Sequence, residues 1–219
     1  MTLRDELDAR RAQFMKTAPA DRIAAYQRGV DELAASGIAE NAVKQGEAAP
    51  DFTLPNARGE QVTLSKLLVE GPVVLAFYRG GWCPYCNLQL RAYRGILSQI
   101  RALGASLVAV SPEPPDTSLS TAEKNALEFE VLSDVTGEAG RAYRLVYEFS
   151  QELKQTYLAA GNDLSTRNAD GEWHLPIPAT YVIGRDGRVE LAFVDPEYRN
   201  RLEPADILAT LRRLEKPPA

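Results

Sequence analysis

The feature that most constrains the fold is an apolar run followed by a glycine-rich turn and a Cys-x-x-Cys pair. Residues 73–78 are β-rich and apolar on both faces, which is typical of a central strand. Gly80 and Gly81 then form a turn signal, and Pro84 occupies a plausible first helical position behind Cys83. A helix that begins there places the sulfur of Cys86 beside that of Cys83, at the positive end of the helix dipole. The pattern predicts a strand, a short turn and a helix with two adjacent thiols at its N-terminus.

These are the only two cysteines of the chain, and their spacing favours thiol redox chemistry. The thiolate is the nucleophile, and one sulfur can react while the other closes a disulfide behind it. A structural zinc site needs about four ligands, and two cysteines with a single histidine do not supply them, so we expect no metal. A structural disulfide across so short a loop constrains little of the unfolded chain. Redox activity is favoured over both of these interpretations and over two inert buried thiols.

Composition excludes several classes of function. With 219 residues, the chain suits one domain with an extension. Lysine and arginine number 25 against 30 acidic residues, and without a basic stripe we expect no nucleic-acid partner. No apolar run approaches the ~18 residues of a membrane span, so no membrane partner is expected. The first residues contain no hydrophobic stretch that could serve as a secretory signal, which predicts a cytoplasmic protein, and no cofactor motif is evident.

The order of predicted elements indicates a mixed sheet covered by helices. Residues 1–45 read as an N-terminal helical extension with helices over 3–18 and 21–35, which either packs on the domain or mediates self-association, as in a homodimer. Residues 46–216 form the domain. Its predicted elements, in order, are a hairpin over 51–64, a brief helix from 65 to about 71, a strand over 73–78, a helix to about 103, a strand over 105–110, a helix over 116–127, a strand over 131–133, one helix over 138–160, a hairpin over 180–194 and a last helix over 204–214.

Five ordered segments resemble the peroxiredoxin-like branch (alkyl hydroperoxide reductase and thiol-specific antioxidant) of the thioredoxin-fold superfamily. They are Ala49-Pro50-Asp51-Phe52-Thr53-Leu54-Pro55, Val62-Thr63-Leu64-Ser65, Phe77-Tyr78, Val108-Ala109-Val110-Ser111, and Tyr181-Val182-Ile183 before Asp186-Gly187. The resemblance spans about residues 49–214. It implies a thioredoxin-like α/β fold and a thiol peroxidase that reduces hydrogen peroxide or organic hydroperoxides. A thioredoxin- or glutaredoxin-type donor would reset the disulfide.

The chain departs from the family pattern at three positions. When the two are aligned without gaps, the peroxidatic cysteine of the family falls on Cys86 and its threonine falls on Cys83. The family's proline position is Arg79, and its later arginine position is Pro178. Under the peroxidase interpretation Cys86 becomes a sulfenic acid and Cys83 condenses with it.

An alternative interpretation is a cytoplasmic thiol-disulfide oxidoreductase that acts on protein disulfides. Pro178 resembles the cis-proline that faces Cys-x-x-Cys in such enzymes, and we expect the Ile177–Pro178 bond to be cis. In this interpretation Cys83 attacks, as the more exposed sulfur, and Cys86 resolves. A third alternative is a non-enzymatic redox sensor.

The surroundings of the cysteines suggest supporting roles for three further residues. Arg79 is the nearest cation in sequence and could favour a thiolate. Trp82 and Tyr85 flank the pair, where they cover it, form a docking surface or simply pack. His174, the only histidine, is expected in a partly buried loop with a structural role.

Overall fold

A computed structural model describes residues 1–215; Lys216, the last residue of the predicted domain, lies outside them. The helices are α1 (Leu3–Thr17), α2 (Ala20–Ala35), α3 (Ile38–Asn41), α4 (Leu64–Glu70), α5 (Pro84–Gly95), α6 (Leu97–Ala102), α7 (Pro115–Lys124), α8 (Glu138–Ala142), α9 (Gln151–Ala159) and α10 (Pro204–Glu215). The strands are β1 (Thr53–Pro55), β2 (Gln61–Thr63), β3 (Val73–Phe77), β4 (Ser106–Ser111), β5 (Glu130–Ser133), β6 (Val146–Glu148), β7 (His174–Pro176), β8 (Ala179–Ile183) and β9 (Val189–Val194).

Five strands form the central sheet, in the order β5-β4-β3-β8-β9. Strand β3 runs parallel to β4 and antiparallel to β8, and β4 runs parallel to β5. Every residue of β3 is buried, because apolar clusters cover both faces of the sheet. The predicted central strand and the hairpin of β8 and β9 are therefore both present.

Strand β3 leads directly into the turn that carries the cysteines. Gly80 has a φ of 141°, in the region that favours glycine. The N–H of Cys83 donates to the carbonyl of Gly80 at 3.1 Å, which closes the turn. Cys83 is the N-cap of α5 and Pro84 is its first residue, so the predicted strand, turn and helix are confirmed.

Helices α1 and α2 pack on the domain. Leu3 and Leu7 of α1 belong to the same apolar cluster as Leu90 of α5 and Ile207 of α10. Helix α2 contacts α9. Of the two arrangements left open for residues 1–45, the structure has the packed one, whereas the boundary at residue 45 and self-association remain predictions.

The prediction of a single helix over 138–160 is wrong. The chain leaves α8 at Arg144, whose φ is +59°, forms β6 against β7, and enters α9 at Ser150, which caps that helix. The apolar residues that suggested one helical face belong to separate clusters: Leu145 packs beneath the central sheet and Phe149 packs with Tyr157. Periodicity alone did not separate two short elements from one long helix.

Smaller differences concern element ends. The helix predicted to run from the cysteines to about residue 103 is divided at Ile96 into α5 and α6.

Among the described helices, none combines the length and apolar character that a bilayer span requires.

Candidate active site

Cys83 and Cys86 are free thiols at the start of α5. Their exposed fractions are 1% and 0%, so the expected difference in exposure is not present. Both cysteines belong to an apolar cluster that also contains Tyr85 and, from α1, Leu3 and Leu7. The two residues differ in access, because Cys83 lines a cavity of about 290 Å³ and Cys86 does not. A small molecule in this cavity would meet Cys83 first.

The two thiols have opposite electrostatic environments. Burial raises the pKa of Cys83, but the hydrogen bond from Cys86 and the charges of Arg79 and Arg201 outweigh it and lower that pKa to about 5. Burial, together with the neighbouring Cys83 sulfur, raises the pKa of Cys86 well above its ordinary value. These opposite shifts favour Cys83 over Cys86 as the thiolate of the pair.

Arg79 is a buried cation on the turn that carries the cysteines. Its side chain is 2% exposed, and its guanidinium donates to the hydroxyl of Tyr157. The guanidinium carbon also lies over aromatic rings, 4.3 Å from the centre of Tyr198 and 5.0 Å from that of Trp82. Its Nε has no hydrogen-bond partner in the described residues. A buried cation without a carboxylate partner favours an anion near it, and the charge of Arg79 is one of the causes that lower the pKa of Cys83.

Arg201 is a second cation at the site, and sequence reasoning missed it. Its Nη2 lies 3.5 Å from the sulfur of Cys86, and its Nε donates to the side-chain oxygen of Gln89 at 2.7 Å. The carbonyls of Tyr198 and Asn200 accept from its Nη1. Arg201 and Cys86 are 115 residues apart, and no local pattern around Arg201 signals the contact.

Glu113 is a buried carboxyl that holds the turn before the cysteines. It is 1% exposed, and its Oε2 accepts the N–H of Gly81 at 2.8 Å. Burial raises the pKa of Glu113 to about 7, although the bond from Gly81 opposes the shift. The order of strands could have indicated its position. Glu113 follows β4 and the cysteines follow β3. Because these two strands are parallel, the loops after their carboxyl ends meet at one edge of the sheet.

Trp82 and Tyr85 both line the cavity beside Cys83. Trp82 packs edge-on against Tyr157 with ring centres 6.1 Å apart, and Tyr85 packs in the same way on Tyr198 at 5.7 Å. These contacts are aromatic packing beside the pair, and a covering or docking role for Trp82 and Tyr85 stays a prediction.

Pro178 and His174 do not line the cavity. The Ile177–Pro178 bond is trans, so the predicted cis bond is wrong; Pro178 is a buried residue in the short connection from β7 to β8. His174 lies on β7 rather than in a loop, is 3% exposed, and has its Nδ1 3.7 Å from the carboxylate of Asp170. Residues 1–215 contain no group of three potential ligands that could hold a metal ion.

The sequence profile of the AhpC/TSA family matches residues 45–192. The chain belongs to the AhpC/TSA family. Helices α1 and α2 of this protein precede the residues that the family profile matches. The predicted resemblance to the peroxiredoxin-like branch is therefore confirmed.

Several relatives agree with this assignment. Peroxiredoxin Q of Populus jackii, a chloroplastic protein, is 30% identical over 162 residues, which are 74% of this chain and 63% of that relative. Peroxiredoxin Bcp of Escherichia coli is 28% identical over 156 residues, which are 71% of this chain and 88% of that relative. The matched part spans less than two thirds of the length of the first curated relatives. For the two putative peroxiredoxins from Mycobacterium tuberculosis this share is 62%.

Solved structures confirm the fold. Peroxidoxin BcpB from Mycobacterium tuberculosis superposes with a TM-score of 0.63 at 24% identity, over 78% of this chain and 98% of that one. The fold is thus thioredoxin-like α/β, with the predicted N-terminal helical extension.

Proposed function

We propose that this protein is a thiol peroxidase that reduces hydrogen peroxide or organic hydroperoxides, with Cys83 as the attacking thiolate. The main support is the difference in access and in pKa between the two sulfurs. Cys83 lines the cavity and has a pKa lowered to about 5, whereas Cys86 lies behind it with a raised pKa. Membership of the AhpC/TSA family and relatives named as peroxiredoxins support a peroxide as the oxidant.

The proposed reaction begins with attack of the Cys83 thiolate on the outer oxygen of the peroxide. The O–O bond breaks, an S–O bond forms, the sulfur loses two electrons and the departing alkoxide or hydroxide takes up a proton. The sulfenic acid on Cys83 then condenses with the Cys86 thiol to give the Cys83–Cys86 disulfide and water. Arg79 and Arg201 supply the positive charge that keeps the attacking sulfur ionised.

This assignment reverses the roles that the ungapped family pattern implies. The pattern places the peroxidatic sulfur at Cys86, but Cys86 is 0% exposed and does not line the cavity. A neutral thiol is a poor nucleophile, and the pKa of Cys86 is raised. Both properties suit a resolving cysteine.

An external dithiol of the thioredoxin or glutaredoxin type would reduce the disulfide and complete the cycle in the cytoplasm. Because both sulfurs are buried, a protein donor can reach them only if the start of α5 opens in the oxidised state. The alternative of general exchange with protein disulfides has less support, since the Ile177–Pro178 bond is trans and Cys83 is covered. A non-enzymatic sensor would not need the cavity at Cys83.

Rapid-mixing measurement of thiol oxidation by hydrogen peroxide tests the proposal. We expect oxidation of the wild type to be orders of magnitude faster than that of free cysteine, and turnover when a thioredoxin system is added. Cys86→Ser should keep the fast first oxidation and lose turnover with thioredoxin. Oxidation no faster than that of free cysteine, together with efficient reduction of insulin disulfides, would instead establish the disulfide oxidoreductase.

A further inference from the structure

The cavity at Cys83 is built partly by residues that the family match does not include. Arg10 and Phe14 of α1 and Arg22 and Tyr26 of α2 line it, opposite the turn that carries Cys83. The family profile begins at residue 45. The N-terminal helices therefore add a wall from outside the family-matched residues to the site of the proposed reaction.

The cavity has an excess of positive charge. Three guanidinium groups line it, those of Arg10, Arg22 and Arg79, and no carboxylate does. None of the three forms an ion pair with a carboxylate of residues 1–215. Arg79 is 2% exposed and its Nε has no partner among these residues. The Cys83 thiolate neutralises one of the three charges, and the remaining two favour an anionic ligand.

The rest of the wall is aromatic. Phe14 stacks on Tyr26 with ring centres 5.7 Å apart, and Tyr26 lies 5.1 Å from Tyr157. Trp82 and Tyr198 complete this surface. Aromatic and apolar walls with a few placed charges are typical of sites for small organic molecules.

The size of the cavity also indicates an organic ligand. Its volume is about 290 Å³, whereas a water molecule occupies about 30 Å³ of the liquid. Hydrogen peroxide has only two heavy atoms and would leave most of this space to water. A molecule with an aryl or short alkyl body would fill it.

We propose that the preferred substrates are organic hydroperoxides with an apolar body and a carboxylate, and that Arg10 and Arg22 select them. This inference rests on the proposed peroxidase function. The carboxylate lies between the two N-terminal guanidinium groups, the body packs on the aromatic wall, and the hydroperoxide group reaches Cys83. The sulfur takes the outer oxygen as the O–O bond breaks, and the alkoxide is protonated and leaves as a carboxylated alcohol.

A pair of matched substrates tests the inference. Cumene hydroperoxide and its ring-carboxylated analogue differ in the charged group, and hydrogen peroxide serves as the third probe. We expect the rate constant for Cys83 oxidation to be at least ten-fold higher for the carboxylated compound than for the neutral one. In Arg10→Gln/Arg22→Gln the ratio of these two rate constants should fall towards one. A ratio within one variant is insensitive to a partial loss of folded protein.

The matched control is Arg11→Gln/Arg28→Gln. It removes the same charge from the same two helices, but Arg28 pairs with Glu152, Arg11 lies 4.0 Å from the carboxylate of Glu197, and neither lines the cavity. The ratio should keep its wild-type value in this variant. Equal rate constants for the two compounds in the wild type, or equal losses in both double variants, would overturn the inference while rapid oxidation by hydrogen peroxide still supports the peroxidase. If none of the three probes oxidises Cys83 faster than free cysteine, the proposed function itself fails.

Discussion

Replacement of Arg79 by methionine should raise the pKa of Cys83. An opposite charge within about 4–6 Å changes a pKa by roughly 1–3 units. Taking about 2 units for Arg79, the Cys83 pKa moves from about 5 to about 7. At about 1.36 kcal/mol per unit, the thiolate loses roughly 2.7 kcal/mol of stabilisation relative to the thiol. At about pH 6 the ionised fraction then falls from roughly 0.9 to roughly 0.1, which predicts a ten-fold slower reaction. At about pH 9 both proteins are ionised and the difference should nearly vanish.

The assay is the rate of Cys83 alkylation by iodoacetamide as a function of pH, with both proteins in a Cys86→Ser background so that only one thiol reacts. Because this background also replaces the hydrogen bond from Cys86, the quantity compared is the difference in midpoint between the two proteins, expected to be about 2 units. The control is Tyr157→Phe, which removes the hydroxyl that accepts from Arg79 but leaves the charge in place. Its midpoint should remain within about half a unit of the parent value. A purely structural role for Arg79 predicts a uniformly lower rate with an unchanged midpoint, and that result would mean that the charge of Arg79 does not lower the Cys83 pKa.

Two further predictions concern stability. Burial raises the Glu113 pKa from 4.5 to about 7, so the folded state holds a proton that the unfolded state has released, and stability falls as pH rises between these values. The free energy of unfolding of the wild type, relative to Glu113→Gln, should therefore decrease by about 2–3 kcal/mol from about pH 4.5 to pH 7.5 in urea titrations; parallel curves would contradict the burial argument. Leu7→Ala should cost about 2–4 kcal/mol because Leu7 is buried in the cluster beneath the cysteines, while the exposed Val69→Ala should change stability by less than about 0.5 kcal/mol. Equal effects would mean that α1 does not contribute to the folded core.

The sequence predicted the elements that have strong local signals. The apolar run of β3, the Asp186-Gly187 turn and the Pro84 helix start each depend on neighbouring residues, and each is present. The predicted helix over 138–160 failed because the reversal at Arg144 is imposed by pairing of β6 with β7, nearly thirty residues away along the chain. Local periodicity contains no information about that pairing.

The candidate site was predictable only in part. Arg79 and the two cysteines lie on one turn, so sequence proximity brought them together. Arg201 and Glu113 reach the same site from other elements, and Arg10 from the N-terminal helix. Their roles depend on tertiary packing of segments that have no motif of their own, and for the same reason sequence could not show which sulfur lines the cavity.

In the proposed mechanism Cys83 is the sulfur that peroxide oxidises first. The most direct measurement is to treat Cys83→Ser and Cys86→Ser with one equivalent of peroxide in the presence of dimedone and to locate the adduct by mass spectrometry. We expect a sulfenic acid adduct on Cys83 in Cys86→Ser and none on Cys86 in Cys83→Ser. An adduct on Cys86 in Cys83→Ser, with Cys83 unmodified in Cys86→Ser, would contradict it.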